Sequence, residues 1–376
     1  MVEMGGKGAR MRSRTALLVV VLSVAFVVVG CSDTSTESES SEPAATQPPS
    51  STTTETPTTA ATSVGAVTVE PVVDVEVVPS VVYHRGDERF QNAEQEMDVV
   101  VPTAGGPWPV VVVFHGGGGG VSKEWSMPMS TAIGEQGRVV FVPTHAHTAV
   151  EWRSNAKLRQ EWELVVAEVR CAVAFAKATA ADYGGDPDHV TVMGYSGGGN
   201  SALMAAMSHA DPLEACVVSG PGVEPQAVVN IDGDVLLGPP PYDAAFADDP
   251  DTFYAFTPWR NLDPDDPFPV HVISVDTRTS GEERSVEDDR SWVDLRHVDI
   301  DLDAELDAMG VFDDGVFTNR EANEWAYETL VAAGYDTTWL LLPDSHHASG
   351  YEADDWGMSP QAWQLTIDTV LNAERN

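Results

Sequence analysis

The run Val110-Val111-Val112-Val113-Phe114 is apolar at every position, so both faces of the element it forms must be covered. That is what a central strand of a sheet flanked by helices requires. Residues 64–376 repeat the theme, alternating β-branched apolar runs with helix-like segments. Such alternation predicts an α/β fold with a mostly parallel central sheet and helices on both faces. Strands are predicted over residues 67–78, 96–101, 110–115, 138–143, 189–194, 215–219, 269–275 and 337–342. Helices are predicted over 158–183, 198–208, 319–333 and from Pro360, where Ser359 supplies an N-cap ahead of a proline in the first turn.

The first 63 residues do not fit that pattern. Lys7, Arg10, Arg12 and Arg14 precede an almost uncharged apolar run over 15–29, closed by Gly30-Cys31. Residues 1–30 therefore read as an export signal rather than as fold. Val28-Val29-Gly30-Cys31 resembles the bacterial lipobox, in which cleavage before the cysteine leaves its thiol to be lipidated; the alternative is an uncleaved anchor helix. Either reading places the remainder outside the cytoplasm, held to a membrane. Residues 31–63 are rich in Ser, Thr, Pro and Glu, cannot bury enough surface to offset their ordering entropy, and read as a disordered tether. Residues 64–376 suit one large domain.

Within it, residues 222–267 break the rhythm. They are rich in Pro and Asp, yet carry Tyr242, Phe246, Phe253, Tyr254, Phe256 and Trp259. Aromatics in so polar a segment need something to cover, so a cap-like insertion over a pocket is favoured over a surface excursion.

The formal net charge is −39, which argues against a nucleic-acid partner. A solubilising surface explains it better than a cation site. The acidic stretch 299–305 lacks the glycine and terminal glutamate of an EF-hand loop. Apart from Cys31, the cysteines are Cys171 and Cys216, which in an exported protein either pair or stay as buried thiols.

Two motifs carry chemistry. Gly194-Tyr195-Ser196-Gly197-Gly198 follows an apolar strand and precedes a helix-compatible stretch, the setting of a nucleophile elbow. Flanking glycines allow the tight turn, and the helix N-terminus behind Ser196 favours developing negative charge. His115-Gly116-Gly117-Gly118-Gly119-Gly120 leaves the end of a buried strand, where glycines let backbone N–H groups converge on an oxyanion. No Gly-Lys-Ser/Thr ending follows, so it is not a phosphate loop.

These motifs, with Gly184-Gly185-Asp186-Pro187-Asp188 leading into the second, resemble the α/β-hydrolase superfamily, and within it the carboxylesterase and hormone-sensitive-lipase-like branches. The likeness spans the chain from about residue 95 onward. It implies an oxyanion hole from Gly117, Gly118 and Gly197, a bracing role for His115, and a triad ordered Ser, acid, His. The acid is expected at Asp276, ending a strand, with Glu282, Glu283 and Asp288 as alternatives. Asp276 is preceded by Ser274-Val275, where relatives often carry a glycine. The base is expected at His347, with His346 as runner-up; His145 and His147 read as polar loop residues. A metal site at the histidine pair lacks a third ligand at suitable spacing. The resemblance thus implies hydrolysis of a small-molecule carboxylic ester through an acyl-enzyme, with no metal or organic cofactor. An exported peptidase, a polyester depolymerase and a non-catalytic surface-binding lipoprotein are the alternatives.

Overall fold

The computed structural model describes residues 71–86, 94–116, 123–145, 155–208, 216–218, 224–233, 258–265, 267–277, 319–347 and 356–374. All of them belong to one compact unit, Thr62–Asn376. The expected signal, the tether, Cys31, Gly117, Gly118 and the acidic stretch 299–305 lie outside the described residues.

Eight strands form one sheet: β1 (Val75–His84), β2 (Gln95–Pro102), β3 (Trp108–Phe114), β4 (Val139–Pro143), β5 (Gly185–Tyr195), β6 (Ala227–Ile231), β7 (Val270–Thr277) and β8 (Thr337–His346). Their spatial order is β1-β2-β4-β3-β5-β6-β7-β8. β2 pairs antiparallel with β1 and with β4, and every other pairing is parallel. Among the described residues the α-helices are α1 (Met127–Glu135), α2 (Asn155–Thr179), α3 (Gly197–Met207), α4 (Asn319–Ala332) and α5 (Pro360–Asn372).

The all-apolar β3 explains the layering. Val110, Val112 and Phe114 point into a core shared with α2, α3 and α4, while Val111 and Val113 join a second core with α1 and α5. All five side chains are buried, as a strand covered on both faces demands.

Three elements depart from expectation. β1 runs over Val75–His84 rather than 67–78, because Ser80 adopts a positive φ of 57° in a register shift between Val78 and Val81. The Asp98 carboxylate accepts the Ser80 N–H at 2.9 Å and stabilises that bulge. Residues 216–218 form no strand of the sheet. Cys216 makes an isolated bridge to His84, and Val217 N–H donates to the Tyr83 carbonyl. The largest change concerns the insertion expected over 222–267, because Ala227–Ile231 is β6, buried at every position between β5 and β7. A cap cannot begin at 222. Its later part contributes a short 3-10 helix, Pro258–Asn261, packed on α3 and α4 beside a small, half-open apolar pocket lined by Leu203, Met207, Leu262 and Leu330 among others.

A disulfide joins Cys171 of α2 to Cys216, with Cα atoms 5.5 Å apart.

Candidate functional site

β5 delivers Ser196 to the tip of the sheet. The residue adopts φ 54° and ψ −126°, a conformation L side chains rarely hold, and its N–H donates to the Ile231 carbonyl at 2.9 Å. Gly197 opens α3 immediately behind it. The tightness of the turn is visible at Gly198, where a Cβ would lie 2.6 Å from the His115 carbonyl oxygen and closer still to that of Phe114. At Gly116 a Cβ would meet the Tyr195 carbonyl at 2.6 Å and Ser196 Cβ at 3.1 Å. The first glycine of the run after β3 therefore packs directly on the elbow.

β8 brings the imidazole. His347 Nε2 lies 3.0 Å from Ser196 Oγ, while His346 uses its backbone N–H to reach the Gly357 carbonyl at 3.1 Å. The side chain of His347, not that of His346, meets the serine. On the other ring nitrogen, His347 Nδ1–H donates to Asp232 Oδ2. That tautomer leaves Nε2 free to accept the serine proton.

The acid position corrects the sequence expectation. The carboxylate on Nδ1 is Asp232, one residue beyond β6, and not Asp276 at the end of β7. A ring nitrogen carries one hydrogen, and Asp232 has taken it. Glu282, Glu283 and Asp288 lie outside the described residues, as does the side chain of Asp276. β7 instead serves Asp232: Ser274 Oγ–H donates to its Oδ1 at 3.1 Å, and the Val275 N–H approaches the same oxygen at 3.4 Å. With its side chain wholly buried, the carboxylate relies on these donors for hydrogen bonds that water does not supply. The signal for Asp232 was an Asp-Gly pair closing a short Val-Val run, concealed in a segment read as insertion.

His115 is fully buried, and burial lowers its pKa from 6.5 to about 4, opposed in part by the Gly116 carbonyl and by Glu124. Its Nδ1–H donates to the Gly116 carbonyl at 3.1 Å, while Nε2 accepts the His145 N–H at 3.4 Å. The neutral ring ties the root of the glycine run to the strand end of β4. His145 stacks on it with centroids 4.2 Å apart. Among the described residues, no group of three or more His, Cys, Asp or Glu could hold a metal ion.

Comparisons with known proteins bear on the fold. Several esterases match over 80% or more of the chain: a thermophilic esterase of Thermogutta terrifontis with propionate bound aligns over 80% of this chain and 93% of its own, with TM-score 0.52 and 15% identity. A truncated carbohydrate esterase from gut microbiota covers 82% of this chain and 99% of its own, with TM-score 0.54 and 15% identity. The fold is that of the α/β-hydrolases. Residues 97–235 match the BD-FAE family. Among curated sequences of Mycobacterium tuberculosis, this chain is 43% identical to Esterase LipQ over 54 residues, covering 14% of this chain and 13% of that protein. It is 28% identical to the probable carboxylic ester hydrolase LipM over 109 residues, covering 28% and 23%. It is 36% identical to Carboxylesterase NlhH over 104 residues, covering 27% and 30%. The chain therefore spans less than a third of the length of these curated relatives.

Proposed function

We propose that this protein is a serine hydrolase of carboxylic esters, exported and lipid-anchored at Cys31, with Ser196 as nucleophile, His347 as base and Asp232 as acid. The observation that carries the reading is the single line of contacts from Ser196 Oγ through the His347 ring to the buried Asp232 carboxylate. The esterase names of the partial sequence matches favour esters over amides or polyesters.

His347 Nε2 takes the Ser196 proton as Oγ bonds to the ester carbonyl carbon, and the carbonyl oxygen becomes an oxyanion. Backbone N–H groups of Gly117, Gly118 and Gly197 are its proposed donors. Collapse breaks the ester C–O bond, and the imidazolium passes its proton to the departing alcohol. Water, deprotonated by the same nitrogen, then adds to the acyl-enzyme carbonyl; collapse breaks the bond from Ser196 Oγ to the acyl carbon, the imidazolium returns its proton to Oγ, and the carboxylic acid leaves. Asp232 holds the tautomer throughout and stabilises the imidazolium without accepting its proton.

Ser196→Ala is expected to lower kcat on p-nitrophenyl esters by about 10⁶-fold and to abolish covalent labelling by a fluorophosphonate. Turnover at the unmodified rate would sink the assignment. The anchor reading rests on the charged-apolar-Gly-Cys order of residues 1–31. Metabolic labelling with an alkyne fatty acid should mark the parent chain and not Cys31→Ala, and a parent chain that takes up no label would refute lipidation. Among the described residues no helix is long and apolar enough to cross a membrane.

A further inference from the structure

A cluster of aromatic rings stands on the base. His347 lies against Tyr195 with centroids 5.0 Å apart and planes at 25°. Tyr195 lies against Trp356 at 5.2 Å and 27°, and Trp356 against Trp125 at 5.5 Å and 28°. Trp125 also meets Tyr195 at 5.3 Å, so the three larger rings are mutually braced. They come from three separate segments: the residue before the nucleophile, the 3-10 helix Lys123–Ser126 beyond the glycine run, and the chain that returns after the base. Tyr195 and Trp356 are fully buried. The far end is fixed, since Trp356 Nε1–H donates to the Trp125 carbonyl at 3.2 Å and Trp356 itself adopts a φ of 54°.

The imidazole needs such a brace. One bond to Asp232 fixes Nδ1 but leaves the ring able to swing about that bond. The contact at Nε2 cannot supply the restraint, because its partner changes from serine to leaving oxygen to water during each turnover. A flat neighbour pressed on the ring face persists through all of those steps, and small losses of alignment at a reacting atom are costly.

We propose that Tyr195, backed by Trp356, is a positioning residue for His347, its ring face holding the imidazole in the plane that serves both Asp232 and Ser196. The proposal rests on the reading of Ser196 as nucleophile. Its test uses the full chain and p-nitrophenyl butyrate. Tyr195→Met approximates the volume without a flat face, and should lower kcat by about 10- to 100-fold while KM moves by less than about threefold. Tyr195→Phe restores the face and should return kcat to within about threefold of the parent. Parental kcat in the Met variant overturns the proposal, as does a Phe variant no better than Met, which would assign the effect to the hydroxyl. If circular dichroism shows Tyr195→Met unfolded, Trp356→Met and Trp356→Phe are compared by the same two criteria. Ser196→Ala separates the two claims: if it leaves hydrolysis intact, the function reading fails, whereas if it abolishes hydrolysis and the Met variants keep parental kcat, only the positioning role fails.

Discussion

Ser196 and Asp232 use the same backbone device on adjacent strands. Both have positive φ, 54° and 48°, and each donates its N–H to a carbonyl of the next strand, Ser196 to Ile231 at 2.9 Å and Asp232 to Ile273 at 2.6 Å. The strained residue keeps its ladder bond while its side chain turns off the sheet toward His347, and the sheet offsets the strain. Asp232→Asn should keep the fold but lower kcat by about 10⁴-fold, because an amide no longer selects the productive tautomer. Asp276→Asn should stay within about threefold of the parent in the same assay. His115 supplies a pH prediction. Its folded pKa lies near 4, below the unfolded value of 6.5, so between those limits the unfolded chain binds more protons. Stability is therefore retained above about pH 6.5 and falls as the pH drops toward 4, by up to about 3 kcal/mol from this residue. Denaturant midpoints at pH 7 and pH 5 should differ less in His115→Gln than in the parent; an unchanged difference would refute the assignment.

Elements differ in how plainly their sequences announce them. β3 and α5 were legible because local pattern decides them. In α5, Ser359 Oγ accepts the Ala362 N–H at 3.2 Å and donates its own hydrogen to the Pro343 carbonyl at 2.9 Å. Ser359→Ala removes the cap and also loosens the turn that follows β8, so a loss of about 1 kcal/mol is expected in urea unfolding. β6 was not legible. It has five residues, Asp- and Pro-rich chain follows it, and its fourth residue is Asn230. Burial of that amide is tolerable because its Nδ2–H donates to Asn323 Oδ1 of α4 at 3.2 Å, a partner 93 residues away that no local window reveals. Missing β6 also hid Asp232. β1 was displaced for a related reason: Pro79-Ser80 looks like a strand end, and only the distant Asp98 carboxylate lets the strand continue through it.

At the scale of the whole molecule, the alternation of apolar runs was enough to fix the layer architecture, since every parallel strand must be covered twice. The proposed nucleophile, Ser196, stood out through its turn chemistry and the proposed base, His347, through the family resemblance, whereas the proposed acid, Asp232, depended on which two strands lie side by side. The disulfide belongs to this scale as well. It closes a span of 45 residues, from α2 through β5 and α3 to the bridge beside β1. Chain-entropy reasoning assigns such a loop about 4 kcal/mol of stabilisation. Cys171→Ala/Cys216→Ala should lower the unfolding free energy by about that amount, and reductant should then have no further effect on the variant.

With the carboxylate mounted on β6, the chain from β7 to α4 (residues 278–318) is relieved of a duty that it would otherwise bear. Connections of that kind diverge fastest when nothing in them must be conserved to the ångström. Lineages descended from such an ancestor could rewrite that stretch wholesale, and a laboratory graft there should leave the contacts among Ser196, His347 and Asp232 in place.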